Sequence, residues 1–203
     1  LLFLKGGEDA GQHILDQGMA LALDRNLERL RLALVAERLH MMSTSSSASR
    51  SKMNLYAQSV GLPTESDAVS AKPNVRTEDE YRAIAWMRVA IANGEFQDAI
   101  AVAKGWRRLC EIRGAKLSCA RWGILLSQAQ FLSGDQRTAQ RTIREAIAIA
   151  APLGLCRSFL DEGATIHTLI INCCQSGAGS SHPTDLYAIK LLEAFGDKLP
   201  DTA

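Results

Sequence analysis

No charge of either sign dominates this chain. Its 23 Lys and Arg stand against 22 Asp and Glu, a formal net charge of +1, so no whole-chain field recommends nucleic acid or an anionic membrane as partner. Aromatic residues make up only 5% while apolar residues reach 47%, a pairing that suits Ala- and Leu-rich helices packed closely. The cysteines Cys110, Cys119, Cys156, Cys173 and Cys174 are odd in number and contain no CxxC, and three fall in apolar helical runs, which points to reduced structural thiols and a cytoplasmic setting. No apolar run reaches the roughly 18 residues of a membrane span. The chain opens Leu-Leu-Phe-Leu, without an initiator Met and without the order of a signal sequence, and reads as a segment of a longer protein.

Catalytic and cofactor motifs are equally scarce. Gly177-Ala178-Gly179-Ser180-Ser181 has glycines but no following Lys and comes after a helix, so it reads as a turn rather than a phosphate cradle. His167, Cys173, Cys174 and His182 are a poor metal set, because adjacent cysteines on a helix point about 100° apart. Asp161-Glu162 is the one tempting acid pair, and it reads more simply as complementing the positive end of a helix. No enzyme activity and no cofactor are expected of this chain.

What is present is a repeat. Ile91-Ala92-Asn93-Gly94-Glu95-Phe96-Gln97-Asp98-Ala99 and Phe131-Leu132-Ser133-Gly134-Asp135-Gln136-Arg137-Thr138-Ala139 share an apolar run, a Gly, an acid and an Ala five places after the Gly, forty residues apart. Gly114 and Gly154 lie twenty beyond these glycines, and Gly6 stands in the same relation to Asn26. Gly and Asn tolerate the left-handed conformation that ends a helix. A period near forty with a helix on either side of a Gly turn predicts an all-α, tetratricopeptide-like superhelical solenoid of about five antiparallel helix pairs. We expect a single helical-repeat domain over 1–203, with repeats near 1–26, 27–61, 77–114, 117–154 and 157–196 and a long connection at 62–76.

Along the chain, helices are predicted over Glu8–Arg25, Leu27–Met42, Arg50–Val60, Thr77–Asn93, Phe96–Arg113, Leu117–Leu132, Gln136–Ala151, Ser158–Cys174 and Pro183–Phe195. Ser43–Ser49 is read as the turn of the second repeat, its hydroxyls competing for backbone groups. Thr77-Glu78-Asp79-Glu80 is a capping box. The 62–76 connection, with Pro63 and Pro73, reads equally as a loop packed on the array or as an insertion.

Two stretches resemble known families. Gly94-Glu95-Phe96-Gln97-Asp98-Ala99-Ile100 is similar to the turn of the tetratricopeptide repeat. Gly154-Leu155-Cys156-Arg157-Ser158-Phe159-Leu160-Asp161-Glu162-Gly163 resembles the segment that closes the helical-repeat sensor region of the large ATP-dependent LuxR-type transcriptional activators, the family of the maltose-regulon activator. Ala36-Glu37-Arg38, Ser59-Val60-Gly61-Leu62 and Leu191-Leu192-Glu193-Ala194-Phe195 agree with it. The resemblance implies signal reception, with a small-molecule inducer or regulatory protein held in the groove and self-association as a consequence. It places ATP hydrolysis and DNA contact in other modules, so this stretch has no direct nucleic-acid contact and no membrane role. A second reading is a protein-binding scaffold without a transcriptional role. Aligned on the tetratricopeptide turn, the groove positions fall at Glu37 and His40, Tyr81 and Arg88, Arg121 and Gln128, and Asp161, which read equally as a binding face or as a solvated face that keeps the array soluble. Arg88 and Arg121 are then the candidate anchors for an anionic inducer or a carboxylate-bearing partner, because a guanidinium offers paired donors in one plane.

Overall fold

A computed structural model describes residues 2–45, 49–176 and 182–196. They form ten α-helices and, among the described residues, no strand. In order these are α1 (Leu2–Asp24), α2 (Glu28–Thr44), α3 (Arg50–Ser59), α4 (Thr77–Asn93), α5 (Phe96–Ile112), α6 (Lys116–Leu132), α7 (Gln136–Ala150), α8 (Arg157–Leu160), α9 (Ala164–Ser176) and α10 (Pro183–Phe195). The chain is an all-α, tetratricopeptide-like helical repeat, and it divides into two compact units at residues 93 and 94.

The helix ends explain the repeat. Asn26, Gly61, Gly94, Gly114, Gly134 and Gly154 all take positive φ, as the spacing predicts. At Gly134 the amide donates to Phe131 O at 3.0 Å and the next amide, Asp135 N, reaches back to Gln130 O at 3.0 Å. The same pair of bonds recurs at Gly114, with Ala115 N donating to Cys110 O at 2.9 Å, and at Asn26, with Leu27 N donating to Ala22 O at 2.8 Å. Each end thus satisfies carbonyls that a helix leaves orphaned and reverses the chain within two or three residues. Gly6 departs from the pattern. Helix α1 runs straight through it, because a mid-helix Gly costs only about 1 kcal/mol and leaves the hydrogen-bond ladder intact.

In the first unit α1 packs on α2, α2 on α4, and α3 against both α4 and α2. Leu32, Val35, Ala36 and Leu39 of α2 and Ala83 to Met87 of α4 are buried. The 62–76 connection is docked, not loose. Trp86 Nε1 donates to Thr64 O at 3.2 Å, Ser70 Oγ to Ser66 O at 3.0 Å across a 3-10 turn at Ser66–Ala68, and Val69 is buried. Helix α4 spans Thr77–Asn93 as predicted, and Asp79 Oδ2 accepts from the Arg76 amide at 2.8 Å just before it. Helix α2 runs to Thr44, where Ser43 and Thr44 hydroxyls donate to His40 O at 2.7 and 3.2 Å. Ser49 caps α3 by accepting from Lys52 N at 3.3 Å. Part of the stretch read as the turn of the second repeat, 46–48, lies outside the described residues.

In the second unit α6 is sandwiched between α5 and α7, and α7 continues onto α9 and α10. Ala99 and Ala139 are fully buried, as small residues at helix contacts should be. Helices α6 and α7 approach closely at Gly123 of α6, where a Cβ would stand 2.9 Å from that of Ala146 on α7. Trp106 and Trp122 stack at 5.5 Å between ring centroids, filling α5 against α6. The helix predicted over Ser158–Cys174 is in fact two. Short α8 ends at Leu160 and α9 starts at Ala164, with Gly163 at positive φ between them. Asp161 and Glu162 therefore follow a helix and do not sit in a first turn. The turn predicted around Gly177 lies outside the described residues.

Candidate functional site

On α2, Leu30, Ala33, Glu37 and His40 recur at steps of three and four and so share one stripe; on α4, Tyr81 and Arg88 share another. Near the starts of these helices the first unit holds a cleft of about 590 Å³. One side is the entry to α2, Asn26 to Leu30 with Ala33, and the other is Glu78 and Tyr81 of α4. Its exposed wall is mainly apolar, but five of its eight lining residues, Asn26, Glu28, Arg29, Glu78 and Tyr81, carry polar side chains.

An ionic network fixes the cleft's acidic edge. Glu28 takes Arg31 with both oxygens, at 2.7 and 2.9 Å, and Arg82 lies 3.5 Å from the same carboxylate and 2.9 Å from Asp79. The Arg31 hydrogen bonds, with the charges of Arg31 and Arg82, hold the Glu28 carboxyl below its usual range against a smaller opposing effect of burial. Arg31 also donates to Val60 O at 3.3 Å, tying α2 to the end of α3. Further along α2, Arg38 pairs with Asp16 of α1 and lies over the Tyr56 ring at 5.4 Å. Burial pushes the Tyr56 hydroxyl up.

Of the expected groove residues, Tyr81 lines the cleft. Glu37 is exposed and His40 half-buried on the same α2 stripe, while Arg88 is only 6% exposed. Arg88 is therefore part of the packed interior of its helix rather than a free surface cation. In the second unit, Arg121 and Gln128 lie seven residues apart on one face of α6, both half-buried, and Gln128 Oε1 is buried without a hydrogen-bond partner. Asp161 is exposed in the turn after α8, paired with Arg157 at 2.6 Å. Sequence reasoning missed the other seven lining residues, Asn26, Leu27, Glu28, Arg29, Leu30, Ala33 and Glu78. Of these, Ala33 and Leu30 were reachable by stepping the groove register back by four and seven from Glu37.

The residues weighed as metal ligands have structural positions. His167 stacks on Phe195 at 4.6 Å, His182 Nδ1 accepts from Thr184 N at 3.3 Å at the start of α10, and Cys173 donates to Gln140 O at 3.6 Å. Burial pushes the Cys173 thiol up to about 11. No group of three His, Cys, Asp or Glu among the described residues is arranged to hold a metal.

The family model of the MalT-like TPR region matches residues 12–173. The chain belongs to the MalT-like TPR region family. It is thus a helical-repeat region of the MalT type, a scaffold architecture of the kind that mediates protein interactions. No curated protein and no solved structure matches it. Among the described residues, no helix of this MalT-like region is long and apolar enough to cross a membrane.

Proposed function

We propose that this MalT-like region is the signal-sensing and oligomerisation segment of a LuxR-type bacterial transcriptional regulator. The candidate positions for holding an inducer or regulatory protein are, each within its own unit, Glu37, His40, Tyr81 and Arg88 in the first and Arg121, Gln128 and Asp161 in the second. The observation that carries this reading is the cleft between α2 and α4, because it lies on the stripes that the repeat register marks. A cleft of this size, with Leu27, Leu30 and Ala33 among the polar side chains of Asn26, Glu28, Arg29, Glu78 and Tyr81, favours a small polar molecule over a long peptide.

Such a ligand switches the parent protein only if it prefers one conformational state over the other, since equal affinity shifts nothing. In this reading the cytoplasmic regulator is held in an inactive form until the ligand favours the assembled one. A thermal-shift screen of the chain against neutral and anionic metabolites tests the cleft. The expected result is at least one stabilising compound whose effect is lost in Tyr81→Ala. Stabilisation undiminished in that variant would move the site off the α2 and α4 stripes.

A further inference from the structure

The outward sides of α5 and α7 are not used by the groove reading. Between Phe96 and Ala150 the chain has nine Lys and Arg against four Asp and Glu, although the whole chain is nearly balanced. Lys104, Arg108 and Ile112 follow one another at steps of four along α5, and Arg137 and Arg141 do so along α7, all of them exposed. Steps of four keep each set in one stripe.

Two observations lay the stripes side by side. Arg107 of α5 reaches Glu145 of α7 at 2.7 Å. The Asp135 carboxyl, held low chiefly by hydrogen bonds from Thr138, also feels both Arg141 of α7 and Lys104 of α5. Arg107 further engages Glu111 at 3.1 Å, so two of the four acids in this segment are committed to a single guanidinium. Lys104 and Arg141 share the single Asp135 carboxylate, and Arg108 and Arg137 have no ion pair among the described residues.

The apolar complement lies at one pole. Helices α5 and α7 end there and α6 begins there, because α6 packs antiparallel between them. Ile112 is 74% exposed, Leu117 50% and Leu153 44% around these turns, with Lys116 exposed beside Leu117. One such side chain on a surface is ordinary, but three at the end of a basic stripe form a pattern.

We infer that this face docks an acidic amphipathic segment of a partner protein, its carboxylates meeting Lys104, Arg108, Arg137 and Arg141 and its apolar side chains covering Ile112, Leu117 and Leu153. The order cation, cation, apolar along α5 at one-turn steps is complemented by a helix with acid, acid, apolar at the same steps. Duplex phosphates would satisfy the cations and leave the apolar pole in water. A bilayer would take up the apolar pole first and leave the cations of α7 strung away from it. This docking stands apart from the ligand cleft in the first unit, and its failure would leave the cleft untouched.

The test uses the whole chain with a fluorescein-labelled, Glu- and Leu-rich amphipathic peptide as probe, read by anisotropy. Competing arms are its Glu→Lys counterpart, a short DNA duplex, and vesicles containing phosphatidylglycerol. Saturable binding of the acidic peptide is expected, weakened roughly tenfold or more in the Arg108→Glu, Arg141→Glu double variant and by a rise from about 50 to about 300 mM salt. Ile112→Ser should weaken it about threefold or more, as loss of a partly covered apolar side chain does. The substituted residues are exposed, and unchanged circular dichroism confirms that the variants fold. Absence of binding, equal binding by the charge-reversed variant, or tighter capture of the duplex, the vesicles or the basic peptide would overturn the proposal.

Discussion

Gly123 and Ala146 set how closely α6 and α7 approach. A methyl group at 123 would meet the Ala146 Cβ at 2.9 Å, and neither atom is the free end of a flexible side chain. Gly123→Ala should therefore destabilise by about 1–3 kcal/mol despite the gain in helix propensity. Combining it with Ala146→Gly should show a favourable coupling energy in a double-mutant cycle by urea unfolding. Strictly additive single effects would mean that the two helices part without cost. The same logic applies where the repeat places its alanines. Ala99→Phe and Ala139→Phe put a large ring at fully buried positions and should each cost about 1–3 kcal/mol. An unchanged melting temperature in both would show that these sites can open.

At the scale of the element, the unit of design is the turn that joins two helices. Gly134 has positive φ and open space around it, so Gly134→Ala tests the backbone alone. The left-handed penalty predicts a loss of about 1–2 kcal/mol, read by chemical denaturation. Asp135, next in the chain, caps α7 by accepting from Thr138 N at 3.1 Å, and hydrogen bonds from the Thr138 hydroxyl and amide lower its pKa. A folded-state pKa below the unfolded value makes the contribution present above the ordinary carboxylate range, and it disappears as pH falls through the folded pKa. Asp135→Ala should thus melt below wild type at neutral pH, with the gap closing under strong acid. A gap that persists unchanged at pH 2 would assign the effect to something other than the charged cap. These turns were legible because Gly and Asn mark left-handed ends by their own conformational preferences. The break between α8 and α9 was not. Gly163 stands inside a stretch that resembles a family segment, and nothing local distinguishes a Gly that ends a helix from one, like Gly6, that a helix passes through. The end of α2 was blurred for a related reason, since Ser43 and Thr44 satisfy their hydroxyls on His40 O and remain helical.

At the scale of the whole molecule, the all-α repeat and its family were open to reading from a forty-residue period and the segment 154–163. The cleft was less so. The face of α2 that carries Glu37 and His40 follows from helical spacing, but the meeting of Leu30 and Ala33 with Tyr81 depends on how α2 and α4 come together, which no local pattern records. Burial of Arg88 is a tertiary fact of the same kind. It changes how the groove is probed, because truncating a buried guanidinium disturbs packing as well as recognition. Tyr81, at the cleft, and half-exposed Arg121 are the better probes. For the proposed role in a LuxR-type regulator, the most direct measurement is inducer-dependent transcription by such a regulator carrying this chain, comparing wild type with the Tyr81→Ala, Arg121→Ala double variant at matched protein levels. The account predicts that basal transcription persists while the inducer concentration for half-response rises roughly tenfold or the response is lost, as removal of one or two binding contacts requires. An unshifted response from the folded variant would contradict it.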